Sequence, residues 1–221
     1  MPSIREWTVT WADRATTARC HPAEDARAVL VLAHGAGAGQ HHPFMTTVAQ
    51  GLARHAVTTV TFDFPYVHEG RRLPDKAPVL EACFAAVAGA VARESATGHL
   101  PRFVGGKSMG GRMATHLAAA HAVDARGVVA LGYPLHPPGR PERLRTAHLA
   151  GITWPLLVVQ GSRDAFGTPE ELRPALAAVR GPLTLHLIEG GNHAFAVRGR
   201  AAGAVLDEVV ATVARWILAL V

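Results

Sequence analysis

The chain has 221 residues, 49% of them hydrophobic, and a formal net charge of +5. That length and composition suit a single α/β domain over residues 1–221 with a sizeable core, and they exclude a disordered or purely linking role. The positive charge is nearly all arginine and is scattered; its densest clusters, Arg71-Arg72 and Arg140 to Arg145, lack interleaved aromatics, so they are expected to be solvated surface rather than a nucleic-acid footprint, leaving at most a mild attraction for anionic substrates.

No apolar run approaches the roughly 18 residues of a membrane span. The opening MPSIREWTVTW lacks a basic segment followed by an apolar one, so the cytoplasm is the expected location. Cys20 and Cys83 show no metal-ligand spacing, and Cys83 falls in an apolar helical pattern that suits a buried small hydrophobe.

In chain order, residues 4–10 and 16–20 form two strand candidates with no helix between them, expected as a hairpin at a sheet edge. Residues 28–33 (AVLVLA) form the first long strand and exit through His34-Gly35-Ala36-Gly37-Ala38-Gly39. Small residues there let backbone approach a substrate oxygen, and the Ala36 amide is a candidate oxyanion donor. His34 is expected to be a hydrogen-bonded structural residue. The adjacent His41-His42 side chains point apart with no carboxylate partner, so no metal is expected. A helix over 44–54 leads to a strand at 57–62, which exits at Asp63.

A helix over 79–94 precedes a strand at 102–104, which runs into Gly105-Gly106-Lys107-Ser108-Met109-Gly110-Gly111. Residues 106–110 match G-x-S-x-G between a strand and a helix, the setting of a nucleophile elbow. Ser108 is thrust forward in a strained turn, and a side chain at Gly106 or Gly110 would crowd it. The helix over 109–121 aims its first N–H groups at the same spot, which makes the Met109 amide a second oxyanion donor. A phosphate loop would need glycine where Pro101 stands.

The strand at 127–131 leads to Tyr133, Pro134 and Leu135, which are expected, with Tyr66, to line the substrate site. Only about two dozen residues then precede the strand at 155–159, too few for a folded cap domain of several helices. That strand exits through Gln160-Gly161-Ser162-Arg163-Asp164, where an acid can orient an imidazole. Asp164 is the favoured acid; Asp63 is the reserve, but it breaks the Ser…Asp…His order. A helix over 169–179, capped by Thr168, precedes the strand at 183–188, which exits through Glu189-Gly190-Gly191-Asn192-His193. Of thirteen histidines, His193 sits at the exit from which a base reaches the elbow. A final helix over 201–220 carries an apolar stripe at Val205, Val209, Val213, Trp216 and Ile217.

This alternation implies a mostly parallel sheet covered on both faces, with ligands beyond the carboxyl ends of its strands. The segments LVLAHGAGAG, GGKSMGGR, QGSRDAFG and GGNHAF together resemble the α/β-hydrolase superfamily. With FDFPY and LGYPLHPPGRPERLR they resemble more narrowly the bacterial dienelactone-hydrolase-like proteins of the testis-expressed-thirty and KANL-three type. The resemblance implies a doubly wound sheet of about eight strands without a substantial cap. It also implies a Ser108–His193–Asp164 triad; with no cap over it, the site is expected to suit a small or exposed ester or thioester, with no cofactor. Dienelactone hydrolases proper use cysteine as nucleophile, so their substrate is not carried over to Ser108. Some relatives are scaffolds, and a non-catalytic interaction protein is the alternative reading.

Overall fold

The computed structural model describes residues 3–221; the first two residues, part of the segment inspected for a secretion signal, lie outside them. Eight strands form one sheet: β1 (Arg5–Trp11), β2 (Arg14–His21), β3 (Ala28–Ala33), β4 (Val57–Phe62), β5 (Arg102–Lys107), β6 (Val128–Leu131), β7 (Leu156–Gly161) and β8 (Leu183–Ile188). Their order is β1-β2-β4-β3-β5-β6-β7-β8. The first two strands make the expected edge hairpin, β2 joins β4 antiparallel, and every other pairing is parallel.

Alternation along each strand divides the core in two. In β3, Val29, Val31 and Ala33 face one side of the sheet, with α3 (Ala77–Arg93), α4 (Met109–Ala119) and α5 (Pro169–Leu176) packed there through Phe84, Met113 and Leu172. Ala28, Leu30 and Leu32 face the other side, covered by α1 (Pro43–Ala53) and α6 (Ala202–Leu218) through Met45, Leu52, Val209 and Val213. Burial on both faces explains why β3, β4 and β7 are continuous apolar or β-branched runs. Each fully buried Val, Leu or Phe contributes roughly 1.5–3 kcal/mol of transfer free energy, so the two layers dominate the stability.

The differences from the sequence reading are local. Strand β5 runs on to Lys107 instead of stopping at Val104. Glycine disfavours strands in general, but Gly105 pairs beside Val129, and a Cβ on it would lie 2.6 Å from the Val129 carbonyl oxygen. Gly105 is there because the neighbouring strand leaves no room for a side chain. Helix α5 ends at Leu176, and α6 spans three residues fewer than expected. A short helix, α2 (Pro65–His68), follows β4 with Pro65 in its first turn. Thr168 does cap α5, its N–H donating to the Glu171 carboxylate at 2.8 Å in a capping box. Between β6 and β7, residues 132–155 hold one 3-10 turn, Leu149–Gly151, and no cap domain.

Candidate active site

Parallel strands carry their exits to one end of the sheet, and β5, β7 and β8 deliver the three side chains Ser108, Asp164 and His193 there. Ser108 lies between β5 and α4 with φ +50° and ψ −115°, a conformation that L residues adopt only under constraint. The constraint is backbone crowding. A Cβ at Gly106 would collide with the carbonyl carbon of Gly110, and one at Gly110 would collide with the Ala33 carbonyl oxygen. The Ser108 N–H is held by the Leu131 carbonyl at 2.9 Å, which ties the elbow to β6.

The hydroxyl faces an imidazole. Ser108 Oγ lies 2.8 Å from His193 Nε2, and His193 Nδ1 lies 2.7 Å from Asp164 Oδ2. With the Asp164 carboxylate accepting, Nδ1 carries the ring proton and Nε2 is left to accept from the serine. Asp164 is fully buried, whereas Ser108 and His193 are half-buried at the floor of a cleft. Asp63, the reserve acid, is committed elsewhere: it accepts from the N–H and the Nε2 of Gln40, at 2.7 and 3.1 Å.

Two further residues set the geometry of this trio. Gln160, at the end of β7, donates from Nε2 to Asp164 Oδ2 at 2.9 Å and accepts the Tyr133 N–H at 2.7 Å. Its side chain joins the β6 and β7 exits, and the Phe166 N–H completes the carboxylate shell at Oδ1, 2.8 Å away. The Phe166 ring stacks on the His193 imidazole, centroids 4.0 Å apart at 28°, which limits ring rotation.

The loop after β3 is organised by His34. Its buried ring donates from Nδ1 to the Gly35 carbonyl at 2.8 Å and accepts the Phe64 N–H at Nε2, 3.0 Å away, so it is structural as expected. The Gly35 carbonyl also accepts from Ala38 N–H. In a trans peptide the N–H points opposite to the C=O, so the Ala36 N–H is turned away from these partners. Ala36 and Met109 line the same cleft as Ser108, and their amides donate no hydrogen bond among the described residues. His42 caps α1 through Nδ1, and His41 Nδ1 accepts from Arg19 at 2.7 Å.

The cleft has a volume of about 590 Å³, within the range of small-molecule sites. Of the four residues expected to line it, only Pro134 does so. Tyr133 is buried because its hydroxyl is drawn inward to the Arg145 carbonyl at 2.6 Å. Leu135 is fully buried against Gly167, and Tyr66 packs edge-on to the His34 ring beneath the glycine loop. The walls come instead from Phe44, Leu80, Arg112, Arg145 and Phe166. Arg145 thus departs from the solvated-surface reading of its cluster. Arg112 had a sequence signal: it follows Ser108 by four positions on a helix, which returns it to the same face. Arg145 and Leu80 had none, being brought in by loop and helix packing. Lys107 also lines the cleft; its ammonium donates to the His193 main-chain oxygen at 2.6 Å.

An eight-stranded, mostly parallel sheet with a serine elbow and no lid defines an α/β-hydrolase fold. The comparisons agree. The family described as Alpha/beta hydrolase domain matches residues 26–221, and the chain belongs to it. A dienelactone hydrolase from Anabaena variabilis superposes with a TM-score of 0.81 at 21% identity, covering 100% of this chain and 99% of that one. Est1E from Butyrivibrio proteoclasticus gives 0.78 at 13% identity over 97% and 98%. A serine hydrolase without lid from Xanthomonas campestris gives 0.75 at 20% over 98% and 96%. In sequence, two Mycobacterium tuberculosis proteins, each named "Putative phosphoribosyl transferase", are 28% identical over 197 residues. The chain spans 42% of the length of those relatives. Among the described residues no helix is long and apolar enough to cross a membrane.

Proposed function

We propose that the protein is a serine hydrolase that cleaves a small or exposed ester or thioester. The observation that supports this most is the continuous relay from Ser108 Oγ through His193 to buried Asp164, with hydrogen bonds of 2.8 and 2.7 Å. In this reading His193 Nε2 takes the hydroxyl proton as Ser108 attacks the carbonyl carbon, and Asp164 stabilises the imidazolium that forms. The amides of Ala36 and Met109 stabilise the oxyanion. Collapse of the tetrahedral intermediate expels the alcohol or thiol, which leaves with the proton from His193. Water, deprotonated by the same imidazole, then attacks the acyl-serine and releases the acid.

The absence of a cap between β6 and β7 favours short acyl groups over long lipids. Pro134, Phe166 and Phe44 are the apolar contacts available to such a group. The transferase name of the Mycobacterium relatives belongs to much longer proteins. A cytoplasmic location remains part of the proposal.

The test is hydrolysis of a short p-nitrophenyl ester together with labelling by a fluorophosphonate. Labelling at Ser108, and loss of several orders of magnitude in kcat in Ser108→Ala, is the expected result. Hydrolysis unchanged in that variant would defeat the assignment. Absence of both hydrolysis and labelling would favour a non-catalytic interaction protein on the same fold.

A further inference from the structure

Two guanidinium groups in the Ser108 cleft have no counter-ion in salt-bridge range among the described residues. Arg112 stands one helical turn beyond Ser108, and its N–H donates to the Ser108 carbonyl at 3.0 Å. Its side chain is half-buried, and its Nε is buried without a hydrogen-bond partner among the described residues. Arg145 enters from a different segment, the loop between β6 and β7. Its backbone is pinned, N–H to the Leu135 carbonyl at 2.8 Å and C=O from the Tyr133 hydroxyl at 2.6 Å. Its guanidinium donates to the Pro134 carbonyl, at 3.3 Å.

Some arginines elsewhere on this molecule pair with carboxylates, Arg71 with Glu69 and Asp75, Arg102 with Asp124, Arg200 with Glu208; the two in the cleft do not. Asp75 also lines the cleft, but both its oxygens are taken by Arg71 at 2.8 and 3.0 Å. Asp164 is buried behind His193. The cleft therefore holds more positive charge than it neutralises. Burial, and then the nearby charge of Arg145, makes Arg112 less basic than an ordinary guanidinium. Holding two such groups partly desolvated in one cleft costs free energy that an anion bound by both would recover.

We propose that Arg112 and Arg145 form an oxyanion-binding subsite beside Ser108, which selects esters carrying a carboxylate or phosphate a short chain away from the scissile carbonyl. The proposal rests on the serine-hydrolase reading and names its substrate class. A guanidinium pair of this kind recognises either oxyanion through charge-assisted, bidentate hydrogen bonds. The apolar walls at Phe44, Phe166 and Leu80 suit the short chain between the two functional groups.

The test separates binding from turnover. The Ser108→Ala protein is titrated calorimetrically with monomethyl glutarate, with dimethyl glutarate, and with a short alkyl monophosphate of similar length. Tighter binding of an anion than of the neutral diester by at least about ten-fold is expected for charge-assisted contacts. Whichever anion binds more tightly identifies the source of the oxyanion. The advantage should shrink in Arg145→Gln, which lies in a loop and leaves the helices intact, and again when Arg112→Gln is added. Equal affinity for half-ester and diester overturns the proposal, as does an advantage that survives both substitutions. Kinetics on the wild-type chain, with mono-p-nitrophenyl adipate against p-nitrophenyl hexanoate, keep the two readings distinct. Turnover of both esters without preference sinks the subsite alone; anion binding to Ser108→Ala without turnover by the wild type sinks the hydrolase reading alone.

Discussion

The ammonium of Lys107 donates to the main-chain oxygen of His193 at 2.6 Å, so the residue that precedes the nucleophile also anchors the loop of the base. The Phe44 and Phe195 rings flank it, with centroids 5.8 and 5.0 Å away. Burial lowers its pKa from 10.5 to about 8, against an opposing pull from Asp164. Between those two pH values the unfolded chain holds the extra proton, so raising the pH across that window stabilises the fold. Lys107→Met cannot make that gain. The melting-temperature difference between the wild type and this variant should therefore move in favour of the wild type from about pH 8 to pH 10.5. A constant difference would show that the ammonium is not desolvated.

Asp164→Asn keeps the size of the side chain and removes its charge. The imidazolium loses its counter-ion and the ring its fixed tautomer, so kcat on a short aryl ester should drop by about 10,000-fold. Circular dichroism should remain that of the wild type.

Gln160→Leu tests the residue that holds the acid. It strips the Nε2 bonds from Asp164 Oδ2 and the Gly167 carbonyl, both 2.9 Å, and leaves the buried Tyr133 N–H without its acceptor. Each orphaned group costs about 1–3 kcal/mol, so urea denaturation should show a loss of at least that size, with reduced kcat beside it. Wild-type values of both would remove Gln160 from the site.

Gly110→Ala places a Cβ 2.6 Å from the His34 carbonyl oxygen and closer still to that of Ala33. Backbone atoms cannot swing aside, and overpacking of this kind costs about 1–3 kcal/mol. Both melting temperature and activity should fall. Gly203 is the control: it lies in the first turn of α6, and a Cβ added there would meet no atom within 4 Å. At that position alanine should stabilise by up to about 1 kcal/mol through helix propensity.

His148 gives an acid-side prediction. Its Nε2 lies 2.9 Å from Thr115 Oγ1, and its ring centroid lies 3.9 Å from that of His116. Burial first, then the charges of His116 and Arg112, lower its pKa from 6.5 to about 3. The unfolded chain takes up this proton earlier, so stability is lost as the pH falls from 6.5 toward 3. Thermal melts of His148→Gln across that interval should show a smaller loss than the wild type.

The sequence carried the frame and the converging trio well because both rest on local rules. Short apolar or β-branched runs alternating with longer helical patterns placed the strands and helices, and the Gly106 to Gly110 pattern announced a turn that only glycine can flank. The reading went astray where packing decides against propensity. Gly105 and Gly106 read as a strand end, yet they continue the strand, Gly105 pressed against β6 and Gly106 against the start of α4 and the end of β3. Tyr133 and Leu135 leave the right strand exit but turn inward, because hydrogen bonds to residues 145 and 160 pull that loop down. Gln160, Phe166 and Arg145 act through contacts between segments distant in sequence, for which no spacing rule exists.

His193 follows β8, the last strand of the sheet, which pairs on one side only and begins with two exposed residues, Leu183 and Thr184. Such margins open at lower cost than an interior strand. On heating, the base should drift from the hydroxyl while the central layers are still intact, so inactivation would precede melting, and amide exchange would be faster along Leu183–Ile188 than along the interior strands.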